Sequence, residues 1–201
     1  LAHEKITNGK YKVCLEYHGQ IEAIVEQKDA KPVQLQIPEV NTGVMALTTE
    51  LLSAWLPQIG NQNAQGEYYL TDLIAIARSA GYSVRSVHPA SASEVEGINS
   101  RQQLAALERV YQRQLADQLM ASGTSLADPA RFDQRGILYA GSDNFIDVNC
   151  LFEGTVSIGS NVRIGPNCQI INSQIGDGVE IKANTVIEQS TIGDHAVLGP
   201  F

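Results

Sequence analysis

The sequence predicts an α/β region, then one long helix, then a parallel β-helix built from hexapeptide repeats. Three observations predict this order. Apolar patterns of strand and helix period succeed each other over roughly the first hundred residues. A continuous helical pattern follows, from about 100 to 121. Beyond it, large apolar residues recur about every six positions, which is typical of hexapeptide β-helices.

Composition and charge exclude several classes of protein. The 201 residues carry 14 Lys and Arg against 22 Asp and Glu, a net charge of −8, and 43% of them are apolar. Such a chain can bury a core, and it has no cluster of cations to bind a nucleic-acid backbone.

Its longest apolar run, 73–77, is far shorter than the roughly 20 residues that cross a bilayer. No signal peptide opens the chain, and three cysteines without CxxC spacing indicate neither a disulfide framework nor a zinc site. We expect a soluble, cytoplasmic protein with no nucleic-acid partner and no membrane span.

Three strands are predicted in the α/β region. Residues 11–17 alternate apolar and polar side chains, as a half-buried strand does. A tight turn at His18-Gly19 leads into a second strand over 21–25. The residues over 82–87 are β-branched enough to predict a third strand.

Two short helices are predicted between these strands. The first begins near Thr48 or Thr49, whose hydroxyl can cap it, and ends at Pro57. The second runs over 71–80 and ends at Gly81.

A longer helix follows. Ser100 and Gln103 form a capping-box pair, and apolar residues recur behind them at helical spacing as far as about 121, with Gly123 placed to end the helix. At 1.5 Å per residue it spans roughly 33 Å. Its length and position favour a connector between domains over an internal element.

The hexapeptide pattern is the most informative part of the sequence. The large positions are Ile146, Phe152, Ile158, Ile164, Ile170, Ile175, Ile181, Ile187, Ile192 and Leu198, six apart except for two one-residue slips. A small apolar residue or Thr lies four positions after most of them: Cys150, Val156, Val162, Cys168, Val179, Thr185 and Ala196.

Geometry explains this spacing. Each hexad gives one short strand and one corner, so three hexads make a triangular coil. A step of 6, 6 and 5 residues would stack Ile158, Ile175 and Ile192 above one another. The alternative, an antiparallel sandwich, would alternate with period two and does not explain a six-residue spacing.

Three sequence words carry a resemblance to a known family. They are NAQGEYYLTD at 63–72, EVEGIN at 94–99 and DPARFD at 128–133. In this order they closely resemble the bifunctional N-acetylglucosamine-1-phosphate uridyltransferase/glucosamine-1-phosphate acetyltransferase family of bacteria. The resemblance runs from about Tyr11 to the end of the chain.

The resemblance implies a fold and two activities. In that family a Rossmann-like domain joins UTP to N-acetylglucosamine 1-phosphate with Mg²⁺, and a left-handed β-helix, working as a homotrimer, first acetylates glucosamine 1-phosphate from acetyl-CoA. The product, UDP-N-acetylglucosamine, is a precursor of peptidoglycan and lipopolysaccharide. On this basis we expect 1–101 to be the C-terminal part of the uridyltransferase domain, 102–122 a linker helix and 123–201 the first coils of the acetyltransferase β-helix.

The resemblance also implies site residues. Glu26, in IVEQKD at 24–29, would accept hydrogen bonds from sugar hydroxyls, and Asn41, in EVNTG at 39–43, would hold the sugar with an amide that both donates and accepts. Tyr69 and Thr71 would line the same pocket. Asn99 would ligate Mg²⁺ and touch the phosphates, since a hard cation prefers oxygen ligands.

Each of these residues also has a purely structural interpretation. Glu26 suits a solvated strand end, Asn41 a turn, Asn99 the start of a helix, Tyr69 a core and Thr71 a helix cap. Their position inside the resembling words favours the functional interpretation. His88 and His195 have no partners at ligand spacing, so we interpret both as structural or exposed.

The chain departs from the family in three places. First, the family usually has Gly-Tyr-Gly-Arg against the nucleotide-sugar, whereas this chain has KYKV at 10–13. The resemblance therefore puts Lys12 at a position that touches substrate. The backbone amide of Lys12 can serve there, but its side chain opposes the close approach that glycine allows. The family's Gly-rich UTP loop and metal-binding aspartate should precede residue 1. Its acetyl-CoA contacts and catalytic His should follow residue 201. We therefore expect an internal fragment that holds no catalytic residue and is inactive alone.

Three functions are compatible with the sequence. The first is a part of the bifunctional enzyme. The second is a catalytically dead β-helical scaffold or trimerisation module. The third is a single-activity sugar nucleotidyltransferase with a β-helical tail.

Overall fold

The computed structural model describes residues 2–4, 12–17 and 20–200, with side chains from residue 20 onward. The chain forms two compact units, Leu1–Gly97 and Ile98–Phe201. The turn predicted at His18-Gly19 lies outside the described residues. Within the described part, every helix is too short or too polar to cross a membrane.

The first unit contains a four-stranded antiparallel sheet. Its strands are β1 (Ala2–Glu4), β2 (Lys12–Tyr17), β3 (Gln20–Glu26) and β4 (Glu39–Asn41), in the order β1-β4-β2-β3. The strands predicted over 11–17 and 21–25 are confirmed as the hairpin β2–β3. The pairing brings Lys12 opposite Glu26.

Two short helices follow this sheet along the chain, and the second of them packs against β3. They are α1 (Thr49–Trp55), capped by the Thr48 hydroxyl, and α2 (Leu73–Ser79). The predicted helix over 71–80 begins later than expected, because a 3₁₀ turn occupies Leu70–Asp72. Trp55, Leu73 and Ala77 form a small buried core between the helices.

The strand predicted over 82–87 is wrong. This segment has no regular structure, although Val84 packs against the cores of the first unit. The Tyr82 N–H donates to the Ala77 carbonyl, and the Tyr82 carbonyl accepts from the Arg78 guanidinium, so its backbone groups are used to close α2. The Tyr82 ring meets Trp55 edge-on, with 5.2 Å between ring centroids. Side-chain packing therefore holds this segment without strand pairing.

The second unit begins with α3 (Arg101–Ala121). The Ser100 hydroxyl accepts from the Gln103 N–H, and the Gln103 side chain accepts from the Asn99 N–H, which confirms the predicted start of the helix. Ala116 and Leu119 are buried in the core of the second unit. The Gln112 amide exchanges two 2.8 Å hydrogen bonds with the backbone of Gln134. Hydrogen bonds and buried side chains therefore hold α3 against the first strands of the β-helix.

Replacing Ser100 with alanine should lower the free energy of unfolding of this unit by about 1 kcal/mol, because the first turn of α3 loses its side-chain acceptor. Ser100→Gly should lower the free energy of unfolding by only a few tenths of a kcal/mol, since glycine is tolerated at the N-cap position. Urea unfolding followed by far-UV circular dichroism measures both. Equal losses for the two variants would contradict the capping role.

The rest of the second unit is a parallel β-solenoid of about four coils. Its strands are β5 (Thr124–Leu126), β6 (Phe132–Ala140), β7 (Asn144–Ile146), β8 (Cys150–Ile158), β9 (Arg163–Ile164), β10 (Gln169–Ile171), β11 (Gln174–Ile175), β12 (Glu180–Ile181), β13 (Val186–Glu188), β14 (Thr191–Ile192) and β15 (Val197–Leu198). All of their pairings are parallel.

The register confirms the predicted stacking. Ile158 pairs with Ile175, and Ile175 with Ile192. Two further rows of large apolar residues are Ile146-Ile164-Ile181-Leu198 and Phe152-Ile170-Ile187. Most of these side chains are fully buried and, with the small corner residues, form one continuous core.

Cys150 and Cys168 occupy two of the small corner positions as free, buried thiols. Their sulfur atoms lie 3.3 Å from the Gly165 carbonyl and 3.1 Å from the Lys182 carbonyl. The neighbouring Cys168 thiol, together with burial, raises the pKa of the Cys150 thiol. We interpret both cysteines as packing residues.

The corners use a left-handed backbone conformation that the sequence analysis did not predict. Among the described residues, eight other than glycine have φ between 45° and 61°: Asp143, Asn149, Asn161, Asn167, Asn172, Asn184, Gln189 and His195. Asparagine tolerates this conformation better than most residues. The Asn149 amide donates to Asn167, and the Asn167 amide to Asn184, at 2.9 and 3.1 Å. Stacked asparagines therefore link successive coils at one corner.

Candidate functional site

Two predicted site residues meet in one cavity of the first unit. Glu26 ends β3 and is 9% exposed, and Tyr69 lies just before the Leu70–Asp72 turn and is 8% exposed. Both line a cavity of about 320 Å³. Asp29 and Asp72 also line this cavity, which we call the acidic cavity.

A chain of hydrogen bonds borders the acidic cavity. The Lys28 ammonium donates to the Gln65 carbonyl oxygen at 2.6 Å, and the Gln65 amide donates to the Tyr69 hydroxyl at 2.8 Å. The Asp29 carboxylate accepts from the Ala64 N–H at 2.7 Å, which ties the segment before Tyr69 to the end of β3. Tyr69 therefore accepts a hydrogen bond from Gln65, and the segment before it is tied to the end of β3.

The charge around Tyr69 changes its acidity. The hydrogen bond from Gln65 lowers the pKa of Tyr69, but burial and the carboxylates of Asp29 and Glu26 outweigh it. The pKa of Tyr69 is therefore raised above its usual value, and the hydroxyl stays protonated as a hydrogen-bond donor.

Asn41 lines a second, larger cavity. It is the last residue of β4. It borders a cavity of about 550 Å³, which we call the apolar cavity and which is also lined by Ile24, Trp55 and Leu73. The side-chain nitrogen of Asn41 is buried without a hydrogen-bond partner among the described groups. Ile24 lines both cavities, so Asn41 and Glu26 face adjacent spaces.

Thr71 is buried in the Leu70–Asp72 turn, with 2% of its surface exposed. Asp72, not Thr71, precedes α2, so Thr71 does not cap that helix. Its hydroxyl oxygen has no hydrogen-bond partner among the described groups. A buried polar group in this state costs free energy, which a ligand that bonds to it recovers. Thr71 is not among the residues that line either cavity.

Lys12 and Asn99 are the two remaining site residues that the sequence predicts. The backbone of Lys12 pairs with Glu26 across β2 and β3, while its side chain lies outside the described residues. Asn99 belongs to the second unit, where it is exposed and its N–H donates to Gln103 at 2.7 Å. Within the described part of the chain, no three His, Cys, Asp or Glu side chains come together as a metal site. One exposed amide oxygen has the ligand chemistry that Mg²⁺ prefers, but it is not a site by itself.

His88 and His195 are both exposed. His88 lies 3.4 Å from Glu39, and His195 occupies a corner of the β-helix. Sequence reasoning missed Lys28, Asp29, Gln65 and Asp72 as cavity or network residues. All four fall inside the words IVEQKD and NAQGEYYLTD, so the signal was their closeness to Glu26 and Tyr69.

Comparison with known proteins places this chain beside one set of relatives. It is 55% identical over 194 residues to the bifunctional protein GlmU of Marinobacter nauticus. It is 50% identical over 194 residues to that of Paraburkholderia xenovorans and 48% over 193 residues to that of Burkholderia multivorans. Each alignment covers 96% of this chain and 43% of the relative.

No protein-family model matches the chain. The chain spans less than half the length of the curated relatives that it matches. Across the segment that it covers, this chain is similar to part of the bifunctional GlmU proteins.

Proposed function

We propose that this chain is the sugar-binding part of a uridyltransferase unit, joined to the first coils of an acetyltransferase β-helix, in a bifunctional enzyme that makes UDP-N-acetylglucosamine. The observation that carries the proposal is the identity of 48–55% to bifunctional GlmU proteins over 96% of the chain. The acidic cavity supports it, because it presents carboxylates and a tyrosine hydroxyl, which suit a ligand rich in hydroxyl groups.

The proposed roles follow from the chemistry of each side chain. Glu26 accepts hydrogen bonds from sugar hydroxyls at the end of β3, and Tyr69 donates one beside it. Asn41 and Thr71 offer a buried amide nitrogen and a buried hydroxyl that lack partners among the described groups. The backbone of Lys12, opposite Glu26, completes the sugar side.

The whole enzyme would have further features. We propose that the first unit completes a Rossmann-like domain, that α3 is the linker helix, and that the β-helix is left-handed and assembles as a homotrimer. The substrates would be UTP, N-acetylglucosamine 1-phosphate, glucosamine 1-phosphate and acetyl-CoA, used in the cytoplasm for peptidoglycan and lipopolysaccharide precursors. The family resemblance supports these features, and the name "bifunctional protein" of the relatives supports the presence of two activities.

Magnesium would act at the phosphates. In nucleotidyl transfer it neutralises phosphate charge. Asn99 would supply one oxygen ligand. Its place beside the N-terminus of α3 leaves the side chain exposed and open to a ligand.

Calorimetric titration of this chain with UDP-N-acetylglucosamine and Mg²⁺ tests the proposal. Glu26→Ala and Asn41→Ala should each weaken binding about tenfold, the effect of losing one strong hydrogen bond. Gln20→Ala is the control, since Gln20 is exposed at the other end of β3. Failure of the unsubstituted chain to bind at millimolar ligand would contradict the proposal, as would equal binding by all variants.

A further inference from the structure

Lys28, Gln65 and Tyr69 form a directed chain of hydrogen bonds beside the acidic cavity. Lys28 follows β3 closely, whereas Gln65 and Tyr69 lie some forty residues later. The two contacts measure 2.6 and 2.8 Å. They join the two segments that carry Glu26 and Tyr69.

The direction of this chain is fixed at one end. An ammonium group can only donate, so the Gln65 oxygen must face Lys28 and the Gln65 nitrogen must face Tyr69. The amide nitrogen can only donate as well, so the Tyr69 oxygen accepts this bond. The Tyr69 proton must therefore point away from Gln65, and Tyr69 itself lines the acidic cavity together with Asp29.

The surrounding backbone holds these groups in place. Asp29 accepts from the Ala64 N–H at 2.7 Å. The Asn63 side-chain oxygen accepts from the N–H groups of Gln65 and Glu67 at 3.1 and 3.2 Å. These hydrogen bonds fix the backbone of the segment 63–67, so its side chains are pre-organised for a ligand.

We propose that Gln65 is a positioning residue which, held by Lys28, makes Tyr69 a hydrogen-bond donor to a ligand oxygen in the acidic cavity. The inference rests on the proposed function, because the ligand it serves is the N-acetylglucosamine phosphate of that proposal. The ligand oxygen then accepts the Tyr69 proton. The Tyr69 hydroxyl then favours a ligand that presents a hydrogen-bond acceptor at this point of the acidic cavity over one that presents only a donor.

Gln65→Glu tests the direction of the chain. A carboxylate at this position still accepts from Lys28 but can no longer donate, so it draws the Tyr69 proton away from the cavity. Gln62→Glu is the matched control, because it adds the same charge at a residue that lines the acidic cavity, whereas the hydrogen bond to the Tyr69 hydroxyl comes from Gln65. Binding of N-acetylglucosamine, an uncharged probe, is measured by calorimetry.

The binding result has a definite expectation. Gln65→Glu should weaken binding about tenfold, and Gln62→Glu should weaken it less than about threefold. In a Tyr69→Phe background Gln65→Glu should cause no further loss, because its effect passes through the hydroxyl. Equal binding by Gln65→Glu and the unsubstituted chain would overturn the proposal.

A second readout needs no ligand. In the chain labelled with 3-fluorotyrosine, fluorine NMR follows the titration of Tyr69, which the Tyr69→Phe variant assigns. Gln65→Met should raise the pKa of Tyr69, because it removes the bond that lowers it, and Gln62→Met should leave it unchanged. An unchanged midpoint in Gln65→Met would overturn the proposal. Lack of sugar binding with a shifted midpoint would contradict the proposed function but support the hydrogen-bond chain.

Discussion

Replacing Phe152 with alanine should lower the free energy of unfolding of the β-helix by about 3 to 5 kcal/mol, the usual cost of removing a buried aromatic ring. Phe152 is 1% exposed and lies beside Phe132, with 5.6 Å between ring centroids. It also stands next to Ile170 in the row of stacked side chains. The ring therefore fills the interior of more than one coil, and neighbouring coils cannot collapse into the space it leaves.

Hydrogen exchange of the backbone amides of 150–192 measures this loss in the β-helix itself. Ile137→Ala is the control, since Ile137 lies on β6 in the adjacent coil but is exposed. Its effect should stay within roughly 0.5 kcal/mol. A loss below about 1 kcal/mol for Phe152→Ala would contradict the stacked core.

Replacing Gly159 with alanine should cost roughly 1 to 3 kcal/mol, because the added methyl group overpacks the corner. A Cβ atom at Gly159 would lie 2.8 Å from the Asp177 backbone nitrogen and 2.9 Å from the Gly176 carbonyl carbon. These are backbone atoms of the next coil, so they can move only if the coil moves. Close approach between coils is the reason for glycine here.

Gly193 provides a matched control within the same chain. It occupies the equivalent corner two coils later, and in this chain a Cβ atom there meets nothing within 4 Å. Gly193→Ala should therefore change stability by no more than roughly 0.5 kcal/mol. Thermal unfolding of both variants compares them directly. Equal destabilisation would show that backbone freedom, and not the approach of the coils, governs these glycines.

The β-helix was predictable because its interior repeats. Each coil must fill the same triangular space, so large residues recur at Ile158, Ile175 and Ile192 with a fixed step. The corner asparagines were not predicted, although the sequence carries a signal for them: each stands directly before a small interior residue, as Asn167 does before Cys168. That signal needed the rule that asparagine tolerates positive φ.

The first unit was less predictable because its contacts do not repeat. The segment 82–87 has strand-forming residues but uses its first backbone groups to close α2. Whether a β-branched segment pairs depends on a neighbouring strand, which local sequence does not specify.

The candidate site was predictable only in part. Glu26 and Tyr69 line one cavity, as the resembling words imply, but the roles of Lys28 and Gln65 depend on a contact between distant segments. The direction of that contact follows from donors and acceptors once the partners are known. No local pattern reveals the partners.

The most direct test of the central claim is to map the binding of N-acetylglucosamine 1-phosphate onto the chain by the shifts of its backbone amide NMR signals. The account predicts that the shifted signals cluster around Glu26, Asn41, Tyr69 and Thr71 in the first unit. Shifts confined to the β-helix over 124–198, or no shifts at millimolar ligand, would contradict it.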